Sequence, residues 1–425
     1  MKRICLVLAI LVLLAPVLVA GAQEPVTLTV LVEQGGLWLQ EAAAAQFEAE
    51  TGHTVEFVNV PYGSVFDRLS AEMATGGSAF DVATIDVVWM SHFAPFAESL
   101  DDLFTDEVMD DLFASLVADA QIDGVFIGMP TWANTEIIFY RKDMWENADE
   151  MAAFEAEYGY PLAPPATWQE FTDMAQFFTR DNDGDGEIDM YGTDVKGGVA
   201  DFEWMIAVLQ AGSPGVVLDA ENNIIIDNDE HVAGLEYYIS HHCDMNVAPP
   251  NVNEIDWGVA ENLFYQSQTA MFRFWGHAYR LTRGDSPIAD LVGAAPMIAG
   301  PGGIGAIPGP WFNIVPKTSQ NKEVALQLVQ YLYDHNAMGI EAPLGLAARK
   351  SAYAQYADVE GFENLNPLLE TLDSPQTIGR PAVADWQQIA DEILGPIGSD
   401  ALTCEHDVAE LLAWGRAELE AMGYE

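Results

Sequence analysis

Between Val26 and Val32 apolar residues alternate with Thr27 and Thr29, the two-residue period of a strand with one covered face. The period then changes. Leu39, Ala43 and Phe47 recur every fourth residue, as on one face of a helix, and Gly52 supplies a stop. Val55–Val60 reads as a second strand. Phe66, Leu69 and Met73 form another helical stripe ending at Gly76-Gly77, and Phe80–Ile85 is a third β-prone run. This strand–helix rhythm predicts an α/β fold, with a parallel sheet covered by helices. Asp123-Gly124, set between two β-prone runs, predicts a hairpin.

A second α/β-like region is expected from about Asn134. It contains an aromatic-rich stretch, Phe154–Phe178, an acidic loop near Asp185, and helical runs at Trp204–Leu209 and Val232–Tyr238. Pro296–Pro316 is rich in Gly and Pro and reads as loop with short extended pieces. Val324, Leu328, Val329 and Leu332 then predict an amphipathic helix, with Ser319 and Asn321 as candidate N-caps. The sequence contains no internal repeat, coiled coil or low-complexity tract.

The amino terminus changes the picture. Lys2 and Arg3 precede an apolar run from Ile4 to Val19, and Ala20-Gly21-Ala22 follows as a small-residue cleavage signal. This order predicts a secretory signal peptide over residues 1–22 and a periplasmic protein. No cysteine stands at the cleavage point, which argues against a lipid anchor, and no later run is long enough for a membrane span. The remainder, about 400 residues, is long enough for two domains. The charge of the full chain is extreme, with 66 acidic against 16 basic side chains and a formal net charge of −50. Such a field repels nucleic acid and anionic membranes, and it suggests adaptation to a saline medium. Cys243 and Cys404 remain after cleavage, either as a disulfide or as two buried thiols.

Several segments, taken in order, carry a family likeness. They begin with Val26–Val30 leading to Phe47-Glu48-Ala49-Glu50-Thr51-Gly52. Phe80-Asp81-Val82 through Asp86 and Trp89 comes next, then Gly128-Met129-Pro130 and Ile138–Asp143. Pro165–Phe171, Ala270-Met271 before Trp275-Gly276, and Ile314–Glu323 complete the set. Together they resemble the extracellular solute-binding proteins of carbohydrate ABC importers, the maltose-binding-like group. The resemblance implies two α/β lobes joined by crossing strands, with ligand held in the cleft between them. The expected lobes are discontinuous: residues 23–133 with 297–343, and 134–296 with 344–425. It also implies a carbohydrate ligand, a membrane ABC permease as partner, capture by hinge closure without catalysis, and a monomer. A secreted polysaccharide-active hydrolase or lyase, or a sensory binding protein for a membrane receptor, are the alternatives.

Sugar rings stack their C–H faces on aromatic planes, and their hydroxyls need paired donors and acceptors. On the resembled fold, Trp38, Trp132, Trp275 and Trp311 stand where segments meet the cleft, with Gln34, Asp86 and Asn134 as polar candidates. Arg273, beside Trp275 in a chain poor in bases, is a candidate clamp for the carboxylate of an acidic sugar. Asp181-Asn182-Asp183-Gly184-Asp185-Gly186-Glu187-Ile188-Asp189 carries the spacing of a calcium loop. Asp181, Asp183, Asp185 and Asp189 would offer carboxylates, and Glu187 its carbonyl. Position 12 is Gly192, so the bidentate acid of that motif is missing. A structural Ca²⁺ is therefore the only ion expected, with no catalytic cofactor. His241-His242-Cys243 lacks a second ligand pair for zinc, and no phosphate loop or nucleophile elbow is present.

Overall fold

The computed structural model describes residues 24–282, 288–356 and 358–425. The expected signal peptide lies outside them. Strand β1 (Thr27–Val32) leads into helix α1 (Gln34–Thr51), followed by β2 (Thr54–Asn59), α2 (Tyr62–Thr75) and β3 (Val82–Asp86). As the alternating periods predict, β1 pairs in parallel with both β2 and β3. Gly52 ends α1 in the left-handed region at φ 79°, with its N–H bonded to the Glu48 carbonyl.

Two later segments complete this sheet, in the order β2, β1, β3, Trp311–Ile314, Met129–Trp132. The strand Trp311–Ile314 comes from the Gly/Pro-rich stretch expected to be mostly loop. It runs antiparallel between β3 and Met129–Trp132, and all four of its residues are buried. A closed ring of hydrogen bonds fixes it. Gln40 Nε2 donates to Thr84 Oγ1 at 3.1 Å, Thr84 Oγ1 donates to Asn313 Oδ1 at 2.7 Å, and Asn313 Nδ2 donates back to Gln40 Oε1 at 2.7 Å. All three side chains are buried, so each depends on the other two to satisfy its polar groups.

Ala133-Asn134-Thr135 carries the chain from this sheet into a second one. Here Glu136–Arg141 lies between Met271–Trp275 and Val292–Ala295, antiparallel to both. Strand alternation divides its side chains. Ile137 and Phe139 join the core of the first sheet, and Ile138 joins a second core built on helices Ala200–Ala211 and Asp229–Cys243. The aromatic-rich stretch forms helices Ala148–Tyr158 and Trp168–Phe178, which bury Phe154, Phe171 and Phe178 in that second core.

Cys243 and Cys404 form a disulfide with Cα atoms 5.6 Å apart. It closes a loop of 161 residues, which in the chain-entropy account stabilises by roughly 4–5 kcal/mol. The helix Lys322–Asp334 buries its predicted apolar stripe, and Asn321 takes the expected N-cap position, but its side chain is used elsewhere. Ser319 Oγ donates to Asp81 Oδ1 at 2.6 Å, and Asn321 Nδ2 reaches the same oxygen at 3.3 Å. Both side chains tie the helix entrance to the start of β3, so Asn321 makes no side-chain cap bond.

Candidate functional site

Parallel strands present their carboxyl ends, and the loops leaving them, on one side of the sheet. Val32 ends β1 and is followed by Glu33, Gln34 and Gly35. Asn59 ends β2 shortly before Tyr62, and Asp86 ends β3. Trp132 ends the parallel edge strand, and Trp311 begins the antiparallel one in register with both Asp86 and Trp132. Glu33, Gln34, Gly35, Tyr62, Asp86, Trp132 and Trp311 form one wall of a cleft of about 440 Å³. The facing wall comes from the second sheet and the segments around it: Trp257, Trp275, His277, Gly309 and Arg380, with Asn134 at the crossing and Leu344 at the rim.

The first wall is aromatic with carboxylates set into it. Trp132 and Trp311 stack with ring centroids 5.1 Å apart and planes 18° from parallel, and Tyr62 meets Trp311 edge-on at 5.7 Å. Tyr62 donates its hydroxyl to Asp86 Oδ2 at 3.0 Å, and Val88 N–H bonds the other carboxylate oxygen at 3.3 Å. Burial pushes the Asp86 carboxyl above its ordinary range, against the pull of Arg380. Glu33 caps α1, accepting from Gly35 and Gly36 N–H at 2.8 and 2.5 Å. Its pKa is likewise raised by burial, in spite of those bonds.

On the opposite wall Trp275 lies between Phe202, stacked at 5.3 Å, and Trp257, edge-on at 6.0 Å. Gly309 permits this placement. A Cβ there would come within 2.7 Å of the Trp275 ring. Asn134 Nδ2 bonds His277 Nδ1 at 2.9 Å. Burial lowers the His277 pKa to about 4, so the ring is neutral near pH 7. With Nδ1 accepting, its Nε2 carries the proton as a donor. Asn134 Oδ1 is buried without a hydrogen-bond partner among the described residues.

Of the eight residues expected at the ligand, seven line this cleft: Gln34, Trp38, Asp86, Trp132, Asn134, Trp275 and Trp311. Arg273 does not. It is 3% exposed and lies two residues before Trp275, about 7 Å deeper along the strand. There it meets Glu203 at 3.8 Å in a buried cluster where Lys196 contacts Glu203 at 3.0 Å and Asp194 at 3.3 Å. Burial, and then the nearby Glu203, hold the Glu136 carboxyl well above its usual range in the same cluster. The clamp read from Arg273 is therefore corrected: sequence proximity to Trp275 could not distinguish the strand end from its covered middle. The residues missed were Glu33, Tyr62, Trp257, His277 and Arg380. Tyr62 and Trp257 had a signal, as aromatic residues at the first position of a helix.

The acidic loop lies elsewhere on the surface. Carboxylate oxygens of Asp181, Asp183 and Asp189 fall within 4.8 Å of one another, whereas Asp185 and Glu187 are not in that group. Asp181 accepts from Gly184 and Gly186 N–H at 2.6 and 2.9 Å, and these bonds, Gly186 first, lower its pKa. Gly192 could not be a longer residue, because a Cβ would lie 1.9 Å from the Ala175 carbonyl oxygen.

A family model described as bacterial extracellular solute-binding protein matches residues 31–338. A probable ABC transporter-binding protein of Deinococcus radiodurans is 29% identical over 343 residues, covering 78% of this chain and 77% of that one. The mannitol-binding protein of Pseudomonas aeruginosa is 24% identical over 184 residues, 43% of this chain and 39% of its own. Among solved structures, maltose-bound MalE3 of T. maritima superposes with a TM-score of 0.73 at 25% identity, covering 93% of this chain and all of that one.

Proposed function

The chain belongs to the bacterial extracellular solute-binding protein family, and on that premise we propose that its cleft captures a sugar or sugar alcohol for a membrane ABC permease. The observation that carries this reading is the stacked Trp132–Trp311 pair facing Trp275 across a cavity of about 440 Å³, with carboxylates and amides between the rings. Aromatic planes fit the C–H faces of a polyol or pyranose, and the polar groups fit its hydroxyls. The maltose and mannitol bound by the similar proteins are of that class.

Capture proceeds by closure. The two walls of the cleft approach one another, with the chain turning at Ala133-Asn134-Thr135. Ligand contacts made to both walls at once shift the open–closed balance, and the closed form docks on the permease as a periplasmic monomer. No bond of the ligand is made or broken. We also propose that Asp181, Asp183 and Asp189 hold a structural Ca²⁺ through hard oxygen ligands.

The test is calorimetric titration of purified protein with maltose, mannitol and ribitol, followed by analysis of the recovered ligand. Binding with ligand returned intact is expected, weakened at least tenfold by Trp132→Ala. Absence of binding by all three, or recovery of cleaved maltose, contradicts the reading.

A further inference from the structure

Arg380 differs from four other arginines of this acidic chain. Arg141, Arg180, Arg349 and Arg416 each hold a carboxylate at 2.7 Å. Arg380 has no carboxylate within 4.0 Å among the described residues, although it lines the cleft. Its Nη2 reaches the Pro308 carbonyl at 3.3 Å, its Nε meets no acceptor, and its guanidinium lies 5.7 Å from the Phe202 ring that backs Trp275. A guanidinium carries five N–H donors in a fixed plane. One weak contact leaves most of them unused.

Its charge, by contrast, acts on several carboxyls at once. Arg380 opposes the burial of three separate carboxyls, at Asp86, Asp119 and Asp201. Asp86 and Glu33 also line the cleft. An anionic ligand would therefore enter a cavity where acids outnumber the one arginine. A neutral ligand meets a complementary set: acceptors at Glu33, Asp86 and Gln34 on the first wall, and donors at Arg380 and His277 Nε2 on the second. Each hydroxyl can donate to one wall and accept from the other.

We infer that Arg380 is a specificity-determining residue that donates hydrogen bonds to the oxygens of an uncharged polyhydroxy ligand, and that the cleft rejects the corresponding sugar acids. The inference rests on the carbohydrate reading of the cleft and deepens it. Because the donors come from one wall and the acceptors from the other, the same hydroxyls draw the walls together.

The experiment is calorimetric titration with matched pairs: glucose and glucuronate, mannitol and mannonate, maltose and maltobionate. Wild type, Arg380→Met and Arg380→Lys are compared, with melting curves to confirm that each variant folds. Wild type is expected to bind a neutral member at least tenfold more tightly than its acid. Arg380→Met should weaken that neutral ligand by about 10- to 100-fold, the range for hydrogen bonds from a charged donor. Arg380→Lys, which keeps the charge but not the planar fork, should recover only part of the loss. Undiminished binding by both variants, or tighter binding of an acid, overturns the inference. Wild-type binding of none of the six overturns the carbohydrate reading, and this inference with it.

Discussion

At the scale of single residues, Asp119 illustrates how burial is linked to pH. Its carboxyl lies against Gly379 and has one oxygen without a partner. Burial raises its pKa to about 7 from the ordinary 3.8, with Arg380 pulling the other way. Below about pH 4 the group is protonated in both the folded and the unfolded chain, and it costs nothing. As pH rises, the unfolded chain ionises first, so stability falls through this window until the folded group ionises near pH 7. Asp119→Asn removes that loss. The variant should melt above wild type at pH 8, by on the order of 2–4 kcal/mol, and the advantage should vanish toward pH 4. Equal gains at both pH values would show that packing, not ionisation, is responsible. Residue identity made much of the cleft legible. Tryptophan, asparagine and aspartate at segment ends could be picked out because the family likeness fixed which ends meet. Arg380 and His277 could not, since their role depends on which neighbours leave them unpaired, and a linear pattern does not record that.

At the scale of elements, the period of apolar positions identified β1, α1 and α2, and the neighbouring Gly and Pro residues marked off β2 and β3 as β-prone runs. Trp311–Ile314 failed that test for a physical reason. It is buried on both faces between two strands, so it shows no alternation, and the glycines and prolines around it suggest loop. Spacing also identified the acidic loop. Three exposed aspartates present carboxylate oxygens close together there, and backbone N–H groups hold the Asp181 carboxylate in place. Calcium at millimolar concentration should raise the melting temperature, chelator should reverse it, and Asp181→Ala with Asp183→Ala should abolish the response. An unchanged melting temperature throughout would count against an ion there.

For the whole molecule, charge is the dominant fact. A formal net charge of −50 on 425 residues gives long-range repulsion that folding must overcome. The screening length falls from about 30 Å at ~0.01 M salt to about 3 Å at ~1 M. The melting temperature should therefore climb steadily over that range in sodium chloride. A protein equally stable at both ends would not be adapted to a saline medium. Length suggested two domains, and the buried apolar residues form two clusters. Length could not show that Ile137, Phe139 and the helix Leu365–Leu372 would belong with the first of them, because that depends on how the second sheet packs its far face.

The strand Trp311–Ile314 also sets a timetable for the chain as it is made. The first sheet cannot join β3 to Met129–Trp132 until residue 314 has left the ribosome, some three quarters of the way through synthesis. Until then Thr84 and Gln40 lack Asn313, the third member of their ring, and the surface that Phe312 will cover stays open. Contacts this distant in sequence form slowly. A nascent chain held back in this way completes its first sheet only once some three quarters of it has been delivered.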